Sequence, residues 1–307
     1  MSALEHYLTE LDLDAAATRA VLEEARVLKA ERARGVLRQS LAGKHLGLYF
    51  EKPSVRTRVS FTLAARELGG DVVELGGHNT KVGKGEHVED FAKVLGCYVH
   101  ALVARVFGQD TLEAMARRAG IPVINALSDQ RHPCQALADL QTILERKGRI
   151  EGVKVSYVGE GNNVAASLAL LGGALGAEVR VASPKGRGLA PDVLALSRAM
   201  PGRVTQLESP EEAARGADVL YTDTWVSMGR EDEADALRRA FAGYRIDDRL
   251  VALAEPDVMV MHCLPAVRGE EITEEVMYGP HSAIWDQAEN RLHAQKALLL
   301  RVLGSAL

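Results

Sequence analysis

The stretch HLGLYFEKPSVRTRVSFTLAARELGGDVVEL, residues 45–75, contains the pattern that decides the fold. It opens with a short apolar segment, His45–Phe50, and closes with a second one, Asp71–Leu75. Between them, residues 54–68 have the composition of a helix that begins at a serine just after a proline. A strand, a helix and a strand in this order predict that the two strands pair in parallel.

The same alternation continues along the rest of the chain in two series, and it predicts an α/β fold with two domains. Each domain is expected to be a parallel sheet flanked by helices, because strands that alternate with helices are covered on both faces. The further predicted strands lie at 101–106, 122–125, 153–158, 178–182, 219–222 and 258–261, and the further helices at 87–96, 112–119, 133–147, 164–175, 191–199 and 287–303. We expect a first domain at 1–132, an interdomain helix at 133–147, a second domain at 148–286, and a C-terminal helix at 287–307 that returns to the first domain.

The composition is that of an ordinary globular protein of 307 residues, with 47% hydrophobic and 26% charged residues. A net charge of -5 argues against a broad nucleic-acid surface. The three cysteines, at 97, 134 and 263, are too few and too scattered for a disulfide framework or a zinc site. Because no stretch is long and apolar enough for a membrane span or a secretory signal, we expect a cytoplasmic protein without a membrane partner.

Polar loops follow several of the predicted strands, at the points where ligands bind in open α/β sheets. We expect these loops to line one cleft between the domains. They are residues 51–58, 128–132, 159–163, 223–229 and 262–265.

The loop at residues 54–58 has the features of an anion site at a helix N-terminus. Free backbone N–H groups and the helix dipole favour an anion there. The hydroxyls of Ser54 and Thr57 and the guanidinium of Arg56 or Arg58 suit a phosphate group. The alternative is a capped helix with surface arginines.

The other loops each allow a chemical and an ordinary interpretation. In the His-Pro-Cys-Gln segment at 132–135, the His and Gln side chains can donate to an oxyanion, or the His can simply be solvated. Gly-Glu-Gly-Asn-Asn at 159–163 partly matches a dinucleotide fingerprint, but Val164 stands in place of the third glycine. Residues 223–229 offer a carboxylate for an ammonium group or form a plain loop, and His-Cys at 262–263 suggests a thiol nucleophile or a buried cysteine.

Taken in order, these motifs resemble those of the aspartate/ornithine carbamoyltransferase family. The family has a Ser-Thr-Arg-Thr-Arg phosphate loop followed by His-Pro-x-Gln, and its ornithine branch adds Asp-x-x-x-Ser-Met-Gly and His-Cys-Leu-Pro. The chain has the corresponding residues at 54–58, 132–135, 223–229 and 262–265, and Glu-Asn-Arg at 289–291. The resemblance covers nearly the whole chain.

The resemblance implies a role for each matching residue. The implied carbamoyl-phosphate contacts are Ser54, Val55, Arg56, Thr57, Lys81, Arg105, His132, Gln135, Cys263, Leu264 and Arg291. The implied ornithine contacts are Asn163, Asp223, Ser227 and Met228. The residues implied to act on the reacting atoms are Arg105, His132, Asp223 and Cys263.

Two positions depart from the family pattern. Val55 stands where the family usually has threonine, which suits a contact through the backbone N–H. Lys81 stands where many ornithine enzymes carry glutamine and aspartate enzymes carry lysine. The family is typically a homotrimer in which a loop, here residues 81–86, reaches into the neighbouring subunit's site.

The resemblance therefore implies transfer of the carbamoyl group of carbamoyl phosphate to the side-chain amine of L-ornithine. The products are citrulline and phosphate, in arginine biosynthesis or the reverse route, and no metal or organic cofactor is expected. The alternatives are transfer to another amine, namely aspartate, putrescine or an acylated ornithine. A catalytically silent, metabolite-binding paralogue and a nicotinamide dehydrogenase are two others.

Overall fold

The computed structural model describes residues 4–76, 85–227 and 230–304. The chain divides into two compact units. The first contains Met1–Gln141 and Asn290–Leu307, and the second contains Thr142–Glu289. Lys81 and Met228, two of the expected site residues, lie outside the described residues.

The first unit is built on a parallel sheet. Among the described residues, its strands are β1 (His45–Phe50), β2 (Asp71–Gly76), β3 (Ala101–Arg105) and β4 (Val123–Leu127). They follow the order β2-β1-β3-β4, so β2 is an edge strand. β3 and β4 are buried along their whole length, whereas β2 is largely exposed. β4 is the other edge strand, but its outer edge is covered by Tyr7, whose backbone bonds to Val123 and Asn125.

Among the described residues, four helices of the first unit follow its strands in the expected alternation, namely α2 (Val55–Arg66), α3 (Val88–Leu95), α4 (Gln109–Ala119) and the first part of α5 (Pro133–Lys147). α1 (Ala15–Ala33) precedes the first strand, and the larger part of the C-terminal helix α12 (Ile284–Val302) also belongs to this unit. Tyr49, Phe91, Leu102 and Leu112 belong to the buried cluster between this sheet and its helices. The burial of these side chains removes apolar area from water and stabilises the layer.

The second unit repeats this architecture with a larger sheet. Its described strands are β5 (Lys154–Val158), β6 (Glu178–Ala182), β7 (Arg203–Leu207), β8 (Val219–Thr222) and β9 (Met259–His262), all parallel, in the order β7-β6-β5-β8-β9. Its described helices are α6 (Asn163–Ala174), α7 (Pro191–Ser197), α8 (Pro210–Ala214), α9 (Ala234–Ala240), α10 (Asp248–Val251), α11 (Glu274–Tyr278) and the start of α12 (Ile284–Val302).

The architecture of two parallel sheets flanked by helices confirms the predicted fold class. Several elements differ from the sequence-based expectation. α1, β7 and the short helices α8 to α11 were not predicted, and α12 begins at Ile284 rather than at residue 287. β7 lacks a continuous apolar run, because it is a half-exposed edge strand. Across the described ranges, no helix has both the length and the apolar character needed to cross a membrane.

Candidate active site

In the first unit, the expected anion site lies at the N-terminus of α2. Ser54 is the N-cap, and its hydroxyl oxygen accepts from the backbone N–H of Thr57 at 3.3 Å. The side chains of Val55 and Arg56 are exposed at this end of the helix, while Thr57 is buried. Because the first N–H groups of a helix have no intrahelical acceptor, this end offers backbone donors beside a guanidinium to a phosphate group.

Arg291 links the N-terminus of α2, whose residues 54–57 form the proposed phosphate cradle, to α5. Its Nη2 donates to Thr57 Oγ1 at 2.8 Å, and its Nη1 donates to Gln135 Oε1. Gln135 in turn donates through Nε2 to Asp139 Oδ1 at 2.8 Å, which fixes which end of the amide faces Arg291. Thr57, Gln135 and Arg291 are thus joined in one buried network, although 234 positions separate the first from the last.

His132 lies at the start of α5, where its backbone oxygen accepts from the N–H groups of Gln135 and Ala136. Its side chain is buried, at 4% exposure. Burial, followed by the positive charges of Arg291 and Arg105, holds the pKa of His132 well below its usual value. A neutral imidazole beside two guanidinium groups can donate a hydrogen bond to a carbonyl oxygen that gains negative charge.

In the second unit, Asp223 is the centre of a group of polar side chains at the carboxyl ends of β5, β8 and β9. Its Oδ1 accepts from the backbone N–H of Thr224 at 2.8 Å and from the thiol of Cys263 at 2.9 Å. Its Oδ2 accepts from Nδ2 of Asn162 at 2.8 Å. The carboxylate is half-buried and held from three sides, so it can present a fixed charge to an ammonium group.

One group of possible metal ligands occurs among the described residues, where ligand atoms of Asp223, His262 and Cys263 lie within 4.8 Å of one another. The His262 ring is already engaged at both nitrogens. Nδ1 accepts from the backbone N–H of Leu264 at 2.9 Å, and Nε2 lies 3.0 Å from Glu271 Oε1. These bonds give His262 a structural role, because they hold the turn after β9 on which Cys263 lies, and they leave the ring no nitrogen for a metal ion.

The glycine-containing loop after β5 is shaped by close packing. Gly161 donates its backbone N–H to the carbonyl of Arg187 at 2.8 Å. A Cβ at Gly161 would lie 2.2 Å from the backbone carbon of Gly188, so only glycine fits this approach. The loop brings Asn162 to the N-cap of α6, with Asn163 as the first helical residue.

The expected site residues that the structure describes fall into two groups, one in each unit. The first unit contains Ser54, Val55, Arg56, Thr57, Arg105, His132, Gln135 and Arg291, and the second contains Asn163, Asp223, Ser227, Cys263 and Leu264. That the two groups share one cleft stays a prediction. Three residues near the second group were not selected from the sequence. Asn162 bonds to Asp223, the Tyr157 hydroxyl bonds to Asn162, and Glu160 pairs with Arg230. Asn162 could have been found, because an asparagine just before an apolar helix is a common N-cap.

Two family models of known proteins match nearly the whole chain. Residues 5–145 match the family model described as aspartate/ornithine carbamoyltransferase, carbamoyl-P binding domain. Residues 151–302 match the model described as aspartate/ornithine carbamoyltransferase, Asp/Orn binding domain.

Individual relatives are similar over their full length. The ornithine carbamoyltransferase of Acidothermus cellulolyticus is 52% identical over 307 residues, covering 99% of this chain and 98% of the relative. The solved ornithine carbamoyltransferase from Pyrococcus furiosus has a TM-score of 0.96 at 46% identity, with 99% of each chain covered. The solved enzyme from Gloeobacter violaceus has a TM-score of 0.88 at 47% identity, covering 99% of this chain and all of the other.

Proposed function

The chain belongs to the aspartate/ornithine carbamoyltransferase family, and from this we propose that it is an enzyme that carbamoylates L-ornithine. The reaction joins the side-chain nitrogen of ornithine to the carbonyl carbon of carbamoyl phosphate. The bond from that carbon to the phosphate oxygen breaks, and the nitrogen loses a proton. The products are L-citrulline and phosphate.

The observation that supports ornithine over aspartate is the charge around Asp223. An aspartate substrate needs a cation for its second carboxylate, whereas ornithine needs an anion for its α-ammonium group. Asp223 supplies the anion. Arg230, the next cation along the chain, has Nη1 2.8 Å from both carboxylate oxygens of Glu160, so its charge is already compensated.

In the carbamoyl-phosphate half, we assign phosphate binding to the N-terminus of α2. The backbone and side chains of Ser54, Val55, Arg56 and Thr57 neutralise the phosphate and stabilise it as it leaves. Arg291 and Gln135 support this cradle through the buried network at Thr57. Lys81 is assigned to the same substrate from the family resemblance alone.

At the reacting carbonyl, we assign charge stabilisation to Thr57, Arg105 and His132. The carbonyl oxygen gains negative charge as the amine attacks, and these three groups are donors. The low pKa of His132 keeps its imidazole neutral, so it acts as a hydrogen-bond donor and not as a cation. Cys263 and Leu264 are assigned to the carbamoyl end.

The amine that attacks must be neutral. A free side-chain ammonium has a pKa near about 10, so the site has to favour loss of its proton. Asp223 and the thiol of Cys263, which are 2.9 Å apart, are the groups assigned to position the amine and ease this loss. Asp223 is also assigned to the α-ammonium group of ornithine, Asn163 and the backbone near Met228 to its α-carboxylate group, and Ser227 to ornithine binding.

At the level of domains, we assign carbamoyl phosphate to residues 1–132 and the helix 287–307, and ornithine to 148–286, with 133–147 as the interdomain helix. The two family-model ranges, 5–145 and 151–302, support this division. We further assign the protein to arginine biosynthesis or its reverse route and to the cytoplasm. Three free cysteines, one of them exposed, suit a reducing compartment.

A homotrimer is the assembly that we propose for this chain. In addition to the family resemblance, α2 has an exposed apolar stripe with the spacing of one helix face, consisting of Val55, Val59 and Leu63. These side chains are 78%, 50% and 37% exposed in the single chain. Apolar area of this kind next to an edge strand is typical of a surface that is covered by another subunit.

The test of the function is a paired assay at equal concentrations of ornithine, aspartate and putrescine, with carbamoyl phosphate and direct detection of each product. We expect citrulline as the main product, and we expect Asp223→Asn to lower ornithine turnover by about tenfold or more, since a charge-assisted contact is lost. Faster carbamoylation of aspartate or putrescine, or full ornithine turnover by Asp223→Asn, would contradict the proposal.

A further inference from the structure

We propose that Asn162 is a positioning residue, whose side-chain amide sets the orientation of the Asp223 carboxylate toward ornithine. The inference rests on the proposed function, because it concerns how the proposed ornithine site is held in place. It assigns a residue that itself need not touch either substrate.

The amide of Asn162 has a fixed orientation. Its Oδ1 accepts from the backbone N–H groups of Val164 at 3.0 Å and Ala165 at 3.1 Å, as the N-cap of α6. The hydroxyl of Tyr157 donates to the same oxygen at 3.3 Å. A flipped amide would leave these three donors facing an NH₂ group, so Nδ2 is forced to point away from the helix.

The group that receives Nδ2 is Asp223, whose Oδ2 lies 2.8 Å away. With the two donors on Oδ1, from Thr224 and Cys263, the described residues bring three hydrogen bonds to the carboxylate. A carboxylate has about four acceptor positions, so the described residues leave one of them, on Oδ2, for ornithine. The bond from Asn162 thereby fixes both the plane of the carboxylate and the direction in which it can accept an ammonium group.

The backbone of the loop holds Asn162 in place independently of its side chain. The neighbouring Gly161 is bonded to the carbonyl of Arg187 and packs directly against Gly188. Asn162 also donates its backbone N–H to the carbonyl of Glu160 at 2.7 Å. A substitution of its side chain therefore changes the contact to Asp223 without removing the backbone bonds that shape the loop.

The choice of residue type separates the positioning role from the capping role. Aspartate and serine both cap helices well, so Asn162→Asp and Asn162→Ser keep the α6 cap. Neither of them supplies the N–H donor to Asp223. Asn162→Asp also places a second carboxylate against the first, which opposes ionisation of the pair.

The experiment measures citrulline formation by the full-length wild type, Asn162→Asp and Asn162→Ser, varying each substrate in turn. Both variants should lower kcat/KM for ornithine by about 10- to 100-fold, as expected for a lost hydrogen bond to a charged group. The affinity for carbamoyl phosphate, measured by direct binding, should stay unchanged. In Asn162→Asp, the acidic limb of the kcat/KM profile for ornithine should also move to higher pH.

The matched control is Ser209→Ala, which removes the N-cap of α8 in the same unit and should leave ornithine kinetics unchanged. Unchanged ornithine kcat/KM in Asn162→Ser, or an equal loss for both substrates accompanied by a lower Tm, would overturn the positioning role. If Asn162→Asp fails to fold, Asn162→Ser carries the test alone. A wild type that makes no citrulline would instead refute the proposed function, so the two failures are distinguishable.

Discussion

At the scale of single residues, His132 gives a prediction about pH and stability. Its pKa is lowered in the folded protein, chiefly by burial and then by the charges of Arg291 and Arg105. As the pH falls below about 6.5, the unfolded chain takes up a proton at this position and the folded chain does not. The stability associated with His132 is therefore complete above that pH and decreases below it, until the pH reaches the lowered folded pKa.

We expect the difference to appear in urea unfolding measured from pH 8 to pH 5. Wild type should lose up to about 1.4 kcal/mol of unfolding free energy per pH unit more than His132→Gln below pH 6.5. All other histidines are the same in the two proteins, so their contributions cancel in the comparison. Parallel curves for the two proteins below pH 6.5 would show that His132 is not held neutral by the fold.

At the scale of elements, the amino-acid sequence predicted those strands and helices that are specified by a local pattern of apolar residues. Strands β1, β6 and β8 and helix α5 have the same bounds in the sequence prediction and in the structure. Buried parallel strands are apolar along their length, so they are recognisable. α1 was not predicted, since its apolar positions form a weak pattern among many charged residues.

The candidate site was less accessible to prediction, because its contacts join residues far apart in the sequence. Motif order located Asp223 and Cys263, but not the 2.9 Å bond between them. The partner of Arg230 could not be predicted either, since Glu160 precedes it by 70 positions. Side-chain pairing of this kind depends on the tertiary fold and leaves no periodicity in the sequence.

The ion pair between Glu160 and Arg230 joins two loops of the second unit, and we expect its loss to weaken ornithine binding. The backbone N–H of Arg230 donates to the carbonyl of Ser227 at 3.1 Å, so an anchored Arg230 holds Ser227 in place. We expect Arg230→Gln to raise KM for ornithine roughly two- to fivefold, the range of a half-exposed ion pair. Binding of carbamoyl phosphate should not change.

The control for this pair is Arg238→Gln, which breaks a contact of 2.8 Å to Glu270 in the same unit. This substitution should leave both KM for ornithine and the binding of carbamoyl phosphate unchanged. A double-mutant cycle with Glu160→Gln separates the ion pair from other effects of Arg230. Additive effects of the two substitutions on KM for ornithine would mean that the ion pair does not position Ser227.

At the scale of the whole molecule, the apolar stripe of α2 predicts that the proposed assembly and activity depend on each other. Val55 lies both on this stripe and in the proposed phosphate cradle. A surface covered by a neighbouring subunit would therefore border the carbamoyl-phosphate site. In the proposed homotrimer, the segment from Lys81 to Glu86 is expected from the family resemblance to act in the neighbour's site, and mixed assemblies test this expectation.

We expect Lys81→Ala and Arg56→Ala each to lose most activity alone, because each removes a cation assigned to carbamoyl phosphate, and to restore activity to each other if the site is shared. In Lys81→Ala the cradle is intact and the reaching segment is defective, whereas in Arg56→Ala the reverse holds. After equal amounts are mixed, dissociated and reassembled, about a quarter of the sites should combine an intact cradle with an intact segment from a neighbour. Citrulline formation should therefore recover to about a quarter of the wild-type rate. Light scattering on the same sample should give the mass of three chains, and a mixture that stays inactive, or an active monomer, would exclude a site completed by the neighbouring subunit.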